Sequence, residues 1–125
     1  MLFKPLKFNI RDKKDVPRLE DLKMTVTTTT KGKSKITYYT WWDNGQSVAK
    51  FGTFDWWDGK NICDLMVYEK YRKRGYSYQL LDYATKQLGC KALAVEKDNK
   101  IARHVYEKYG FKKVDADDRY YYMYI

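Results

Sequence analysis

The sequence is poor in the residues that build disulfide frameworks, metal sites and catalytic triads. Its 125 residues include two cysteines and a single histidine, His104. Cys63 and Cys90 are too few for a disulfide scaffold and lack the spacing of a metal site, so we expect buried structural thiols. One histidine excludes His-rich metal centres and any obvious Ser-His or Cys-His pair. The sequence therefore predicts no metal site and a reducing, cytoplasmic setting.

Long apolar runs are also missing. No stretch approaches the roughly 20 apolar residues that a membrane span needs. The first six residues lack the charged start, apolar middle and small-residue cleavage site of a signal peptide. We therefore expect no membrane contact. The length and an apolar fraction of 44% predict one globular domain, residues 1–125, with a core of its own.

Positive charge is in excess and unevenly distributed. The net charge is +9, and residues 1–35 hold 10 Lys or Arg against 4 Asp or Glu, which is +6 of that total. Nucleic acid, an acidic protein or a phosphorylated ligand would each suit this basic N-terminal region. A solvated surface without a partner explains it equally well.

The hydrophobic pattern predicts strands first and alternating helices and strands later. Lys7 to Ile10 reads as a strand, Asp15 as the cap of a short helix, and Thr25 to Thr30 as extended chain whose pairing is left open. A β-meander follows at residues 36–42, 47–57 and 60–67. After it come a helix at 78–88, a short buried strand at 92–95, a second helix at 100–109 and two closing strands at 111–114 and 120–125. An antiparallel meander that runs into a βαβ unit predicts an α/β (α+β) fold. We expect a mixed, mostly antiparallel twisted sheet with helices on both faces.

The turn between the strand ending at Val67 and the next helix is the most informative stretch. A helix start presents free backbone N–H groups and the positive end of the helix dipole, which suit a phosphate or pyrophosphate. Cations at a helix start are unfavourable unless an anion is bound. The predicted phosphate loop consists of Arg72, Lys73, Arg74, Gly75, Tyr76 and Ser77.

A second segment, Asn99 to Phe111, reads Asn-Lys-Ile-Ala-Arg-His-Val-Tyr-Glu-Lys-Tyr-Gly-Phe. In this order and at this separation, the loop and the segment resemble the GNAT superfamily of acetyl-CoA-dependent N-acetyltransferases. The loop is similar to the family's pyrophosphate loop, in which Arg or Gln, two residues, Gly, one residue and Gly or Ala follow a strand. Three positions depart from that pattern: Lys73 stands where Gly is common, Ser77 replaces the final Gly or Ala, and Glu69 stands where many members have Pro.

The resemblance implies the GNAT fold, with the strand ending at Val67 splayed from its parallel neighbour so that the pantetheine arm of CoA inserts between them. It implies that the backbone of the phosphate loop holds the pyrophosphate, with its cations adding charge. Asn99 is similar to the residue that contacts the pantetheine arm, and it is also suited to cap a helix. Tyr106 resembles the family's general acid, which lies beside the bound CoA and protonates the departing thiolate.

The resemblance leaves the general base and the acceptor open. Asp64 interrupts an apolar strand and is the best-placed carboxylate for a base, with Glu69 and Asp55 as weaker candidates. The implied reaction moves acetyl from acetyl-CoA directly to a primary amine, and a homodimer is compatible with it. Two alternatives remain: a nucleic-acid-binding module that uses the basic N-terminal region, and a CoA-binding protein without catalysis.

Overall fold

The computed structural model describes residues 16–56 and 59–125. The strand predicted at Lys7 to Ile10, the cap at Asp15 and the strand end at Trp57 lie outside the described residues. So does half of the excess charge of the basic N-terminal region, +3 of its +6.

Seven strands and two α-helices make up the described fold. Strands β1 to β4 are Lys23–Lys31, Ser34–Asp43, Gln46–Trp56 and Gly59–Val67. Helix α1, Tyr76–Asp82, continues as a π-helical turn, Tyr83–Gln87. The remaining elements are β5 (Ala92–Glu96), α2 (Lys100–Tyr109), β6 (Lys112–Ala116) and β7 (Tyr120–Tyr124). Short 3-10 turns occupy Leu19–Asp21 and Glu69–Tyr71.

The strands form one sheet in the order β1-β2-β3-β4-β5-β7-β6. Among the described strands only β4 and β5 pair in parallel, so the predicted mixed, mostly antiparallel sheet is confirmed. The threonine-rich segment is no loose chain, because β1 pairs with β2 from Lys23 to Lys31. Its β-branched residues suit an extended edge strand. The turn between β2 and β3 uses positive φ angles at Asn44 and Gly45, as an Asn-Gly hairpin requires.

Aromatic side chains join the helical layer to one face of the sheet. Tyr39 and Trp41 of β2 stack against Phe51 of β3, and Tyr83 meets the ring of Trp41 edge-on with 5.1 Å between centroids. Such offset and edge-on pairs add to the hydrophobic gain of burying the rings. Phe51 is fully buried here.

The two α-helices lie on the same face, whereas the sequence predicted helices on both faces. The Tyr109 hydroxyl of α2 donates to an Asp82 carboxylate oxygen of α1 at 2.6 Å, and the rings of Tyr78 and Tyr109 stack. The chain moves in one direction across the sheet from β4 to β5 and from β5 to β6. Two right-handed crossovers in the same direction place both helices on one side.

The parallel pair β4–β5 separates after a short contact. Only Asn61 with Ala92 and Ile62 with Leu93 are paired, although β4 continues to Val67 and β5 to Glu96. A bulge accompanies the separation, because β4 has one residue more than β3 between the pairs at Cys63 and Met66. Bulges bend a strand and increase its twist. The predicted splay of this pair is confirmed.

Candidate functional site

A cavity of about 680 Å³ opens where β4 and β5 have separated. Its walls come from the end of β4, from the phosphate loop and from one side of α2. Eight of the predicted site residues line it together: Val67, Arg72, Lys73, Gly75, Tyr76, Ser77, Asn99 and Tyr106. The fold thus brings Val67 and Tyr106, which are almost 40 positions apart in the sequence, to the same cavity.

The backbone of the phosphate loop turns through two left-handed residues. Lys73 has φ +64° and Gly75 has φ +82°, and Gly75 is the N-cap of α1. No side chain caps this helix start, so its first N–H groups are not satisfied by a capping residue. α1 begins at Tyr76, two residues before the predicted start. The loop therefore has the open backbone donors on which the phosphate prediction depends.

Not every side chain of the phosphate loop faces only the cavity, because several of them contact neighbouring parts of the fold. The Nε–H of Arg72 donates to the Val67 carbonyl oxygen at 2.9 Å and ties the loop to the end of β4. Arg74 lies over the Tyr71 ring, 5.5 Å from its centroid, and does not line the cavity. Tyr76 is buried and its hydroxyl donates to the Pro17 carbonyl oxygen at 2.7 Å, which anchors the helix start to the segment before β1.

Asn99 caps α2, and this part of its prediction is confirmed. Its side-chain oxygen accepts a hydrogen bond from the Ala102 backbone N–H at 3.1 Å. The same residue lines the cavity. The capping bond uses the oxygen and leaves the amide NH₂ group as a donor.

Tyr106 is 93% buried yet borders the cavity, its ring packed edge-on against Phe111. Its hydroxyl has no hydrogen-bond partner within residues 16–56 and 59–125. Burial raises the pKa of Tyr106 to about 12, because the protein interior disfavours the phenolate. The phenol therefore stays protonated at physiological pH and is available as a donor.

None of the three candidate bases lines the cavity. Asp64 has φ +52° at the bulge of β4 and accepts a hydrogen bond from the Tyr38 hydroxyl at 2.8 Å, although its neighbours Leu65 and Met66 line the cavity. Asp55 pairs with Lys60 at 3.6 Å on the surface. Glu69 is exposed in the turn before the loop.

Neither cysteine lines the cavity, and Cys90 is buried whereas Cys63 is half-buried. Burial raises the pKa of Cys63 to about 12 and that of Cys90 to about 11, so both thiols are protonated at neutral pH. Across the part of the chain that the structure describes, no three His, Cys, Asp or Glu side chains are grouped to hold a metal ion. Nor does any helix there have the length and apolar character to cross a bilayer.

Sequence reasoning missed the apolar wall of the cavity. Ile101 of α2 lines this wall and is 82% exposed. Other apolar lining residues are Leu65, Met66, Ala102 and Val105. The signal was present in the sequence: a stripe that includes both Ile101 and Tyr106 spans more of the helix surface than one packing face needs.

The sequence matches a known protein family over most of its length. Residues 4–111 match the family model for the acetyltransferase (GNAT) family. No curated protein sequence matches the chain.

Solved structures show the same fold. The N-acetyltransferase PseH from Campylobacter jejuni, with acetyl coenzyme A, aligns at 20% identity and TM-score 0.57, over 72% of this chain and 67% of its own. PH1933 from Pyrococcus horikoshii aligns at 25% identity and TM-score 0.61, over 69% and 62%. A Bacillus anthracis protein assigned as a streptothricin acetyltransferase, with acetyl coenzyme A, aligns at 15% identity and TM-score 0.62, over 98% and 96%. The chain thus spans about two thirds of the first two proteins and nearly all of the third.

Proposed function

The chain belongs to the GNAT acetyltransferase family, and we propose that it transfers an acetyl group from acetyl-CoA directly to a primary amine. The observation that carries the proposal is the splay of β4 from β5, which opens into a cavity lined by the phosphate loop, Asn99 and Tyr106. Two proteins of similar structure were crystallised with acetyl coenzyme A.

The residues of the cavity fit the parts of acetyl-CoA, which supplies the acetyl group as a thioester. The uncapped start of α1 and the side chains of Arg72 and Lys73 suit the pyrophosphate. The unpaired edge of β4 near Val67 offers backbone donors and acceptors for the pantetheine amides, as a further strand would. Asn99 adds its free amide NH₂ group, and the apolar wall suits the aliphatic part of the arm.

Tyr106 is the proposed general acid. When the amine attacks the acetyl carbonyl, the bond to sulfur breaks and the leaving thiolate needs a proton or a strong hydrogen bond. A phenol whose pKa is near 12 remains a donor at every physiological pH. Because the hydroxyl has no hydrogen-bond partner among the described residues, it is available for that sulfur.

Asp64 remains the proposed base, acting through water. The position of Asp64 supports this role. The residue is exposed and lies on the β4 bulge, directly before Leu65 and Met66 of the cavity wall. The carboxylate accepts one hydrogen bond from Tyr38, which leaves capacity for a water molecule on its other oxygen. In this role Asp64 would take up the proton that the amine loses.

The test is release of free CoA from acetyl-CoA in the presence of a panel of amines. Turnover with at least one primary amine is expected. Tyr106→Phe should lower kcat at least about tenfold and leave acetyl-CoA affinity unchanged. The matched control is Tyr109→Phe, on the same helix but bonded to Asp82 outside the cavity, which should retain kcat.

Two results would contradict the proposal. Undiminished kcat in Tyr106→Phe would remove the general-acid role. Thermal stabilisation by CoA without product from any amine would instead indicate a CoA-binding protein without catalysis.

A further inference from the structure

Away from the cavity, three cationic side chains meet at one tyrosine ring. The Lys97 Nζ, Arg103 Cζ and Lys113 Nζ atoms lie 5.2, 4.7 and 4.5 Å from the centroid of the Tyr121 ring. They come from the turn after β5, from α2 and from β6, while Tyr121 belongs to β7. We call these four residues the Tyr121 cluster. None of them lines the cavity of the candidate active site.

The positive charges of the Tyr121 cluster are close together, and none of them forms an ion pair in the described residues. Because each lies within 5.2 Å of one point, no two are more than about 10 Å apart, roughly one Debye length at physiological salt. In residues 16–56 and 59–125, no carboxylate forms an ion pair with any of the three. Attraction to the face of the ring offsets part of their mutual repulsion. A bound anion would offset more.

Arg103 shows most directly that an acceptor is missing. One of its terminal nitrogens, Nη1, donates to the Lys97 carbonyl oxygen at 2.8 Å, which fixes the guanidinium. Its Nε–H is buried and has no hydrogen-bond acceptor among the described residues. A buried donor without an acceptor is costly, and most such groups in proteins are satisfied. The side chain as a whole is only partly buried, so an oxyanion can approach its exposed part from solvent, next to the buried Nε–H.

The nearby acid Asp117 is already engaged elsewhere. It accepts hydrogen bonds from the Tyr122 hydroxyl and from the backbone N–H groups of Arg119 and Tyr120. These bonds hold the turn between β6 and β7 and lower the pKa of Asp117, the bond from Tyr122 most of all. The charge of Lys97 also lowers this pKa, so Asp117 compensates part of the charge of Lys97, but it forms no ion pair with any cation of the cluster in the described residues.

We propose that the Tyr121 cluster binds the phosphate monoester group of a ligand, as an anion site separate from the phosphate loop. A phosphate monoester carries a charge of about −1.5 to −2 at pH 7, which matches three cations better than a single carboxylate does. Guanidinium groups pair with two phosphate oxygens at once, and the lysines add charge from either side. The backbone bond to Lys97 already orients Arg103 for this contact.

The buried Nε–H of Arg103 provides a site-specific reporter. In ¹⁵N-labelled protein its signal, assigned by its loss in Arg103→Lys, is followed during titration with inorganic phosphate at constant ionic strength. We expect a saturable shift with phosphate and none with acetate. The same titration in Arg72→Gln should give the same shift, because phosphate bound at the loop of the active site does not report on Arg103. The result is therefore independent of the proposed enzymatic function.

A matched pair of variants on β6 tests the charges. Lys113→Gln should weaken the phosphate affinity at least about fivefold. Lys112→Gln removes the same charge one residue earlier, on the opposite face of the strand, and should leave the affinity unchanged. Thermal unfolding of each variant checks that it is folded. A shift that rises without saturating, that acetate reproduces, or whose midpoint is unaltered in Lys113→Gln would overturn the proposal.

Discussion

The two edges of β4 differ in how far they are paired: the edge towards β3 is part of the scaffold, and the edge towards β5 opens at the candidate site. Towards β3 the strand is paired at seven positions, from Gly59 to Val67, whereas towards β5 it is paired at two. Both neighbours bury apolar side chains, Val48 and Phe51 in β3 and Leu93 and Val95 in β5, so burial does not explain the difference. Backbone groups inside a sheet need partners, and an edge left open within the fold is satisfied by water or by a ligand. The candidate site therefore lies where the pairing of β4 with its neighbour stops.

Filling the cavity should have the largest effect. Ala102 lines it from α2, so Ala102→Phe places a ring where the pantetheine arm is proposed to lie. We expect acetyl-CoA affinity to fall at least about 100-fold, near 3 kcal/mol, because the ligand must displace the ring. Calorimetric titration with acetyl-CoA measures this loss.

The control for Ala102→Phe lies two residues away. His104 is exposed on the same helix and does not line the cavity. His104→Phe should therefore bind acetyl-CoA as the unmodified chain does. Equal affinity of the two variants would mean that the cavity is not the acetyl-CoA site.

Titration of Tyr106 should reveal how strongly the wall of the cavity is desolvated. Its pKa is about 12 in the folded protein against an ordinary value of 10. A raised pKa contributes stability that is fully present below pH 10 and is lost as the pH rises to 12. The loss attributable to this residue is about 2 to 3 kcal/mol. It is measured as the difference in unfolding free energy between the unmodified chain and Tyr106→Phe across this pH range. Parallel curves for the two proteins would show that the phenol is not desolvated.

The sequence predicts features that depend on neighbouring residues better than contacts between residues that are far apart in the chain. The cap at Asn99 depends on residues three positions apart, and the sequence indicated it correctly. The bond between Tyr38 and Asp64 joins residues 26 positions apart and had no signal in the sequence. The Tyr121 cluster likewise assembles from four separate elements. Placement of both helices on one face follows from the strand order, which the pattern of apolar residues does not specify.

Two glycines with the same backbone angle distinguish ligand contact from strain. Gly75 in the phosphate loop and Gly45 in the β2–β3 turn both have φ +82°, and a Cβ at either would meet nothing within 4 Å. Gly75→Ala and Gly45→Ala should each lower stability by about 1 kcal/mol, the cost of an L-residue in this conformation. Chemical denaturation measures both losses.

The ligand should separate the two glycine variants. We expect Gly75→Ala to weaken acetyl-CoA binding about tenfold, because the added methyl group restricts the approach of the pyrophosphate to the backbone. Gly45→Ala should bind normally. Equal affinities would place the pyrophosphate elsewhere.

The smallest expected effect concerns the loop position where the family commonly has glycine. Lys73 has φ +64°, a conformation that is unfavourable for a lysine and easy for a glycine. Lys73→Gly should therefore raise the free energy of unfolding by about 0.5 to 1 kcal/mol, while the loss of one cation weakens acetyl-CoA binding only a few-fold. Asn44→Gly is the control at φ +49°, where asparagine already tolerates the angle and the gain should be smaller. Denaturation and acetyl-CoA titration of both variants would show whether Lys73 is retained for its charge. Tighter binding in Lys73→Gly would mean that backbone conformation, and not charge, governs affinity at the open edge.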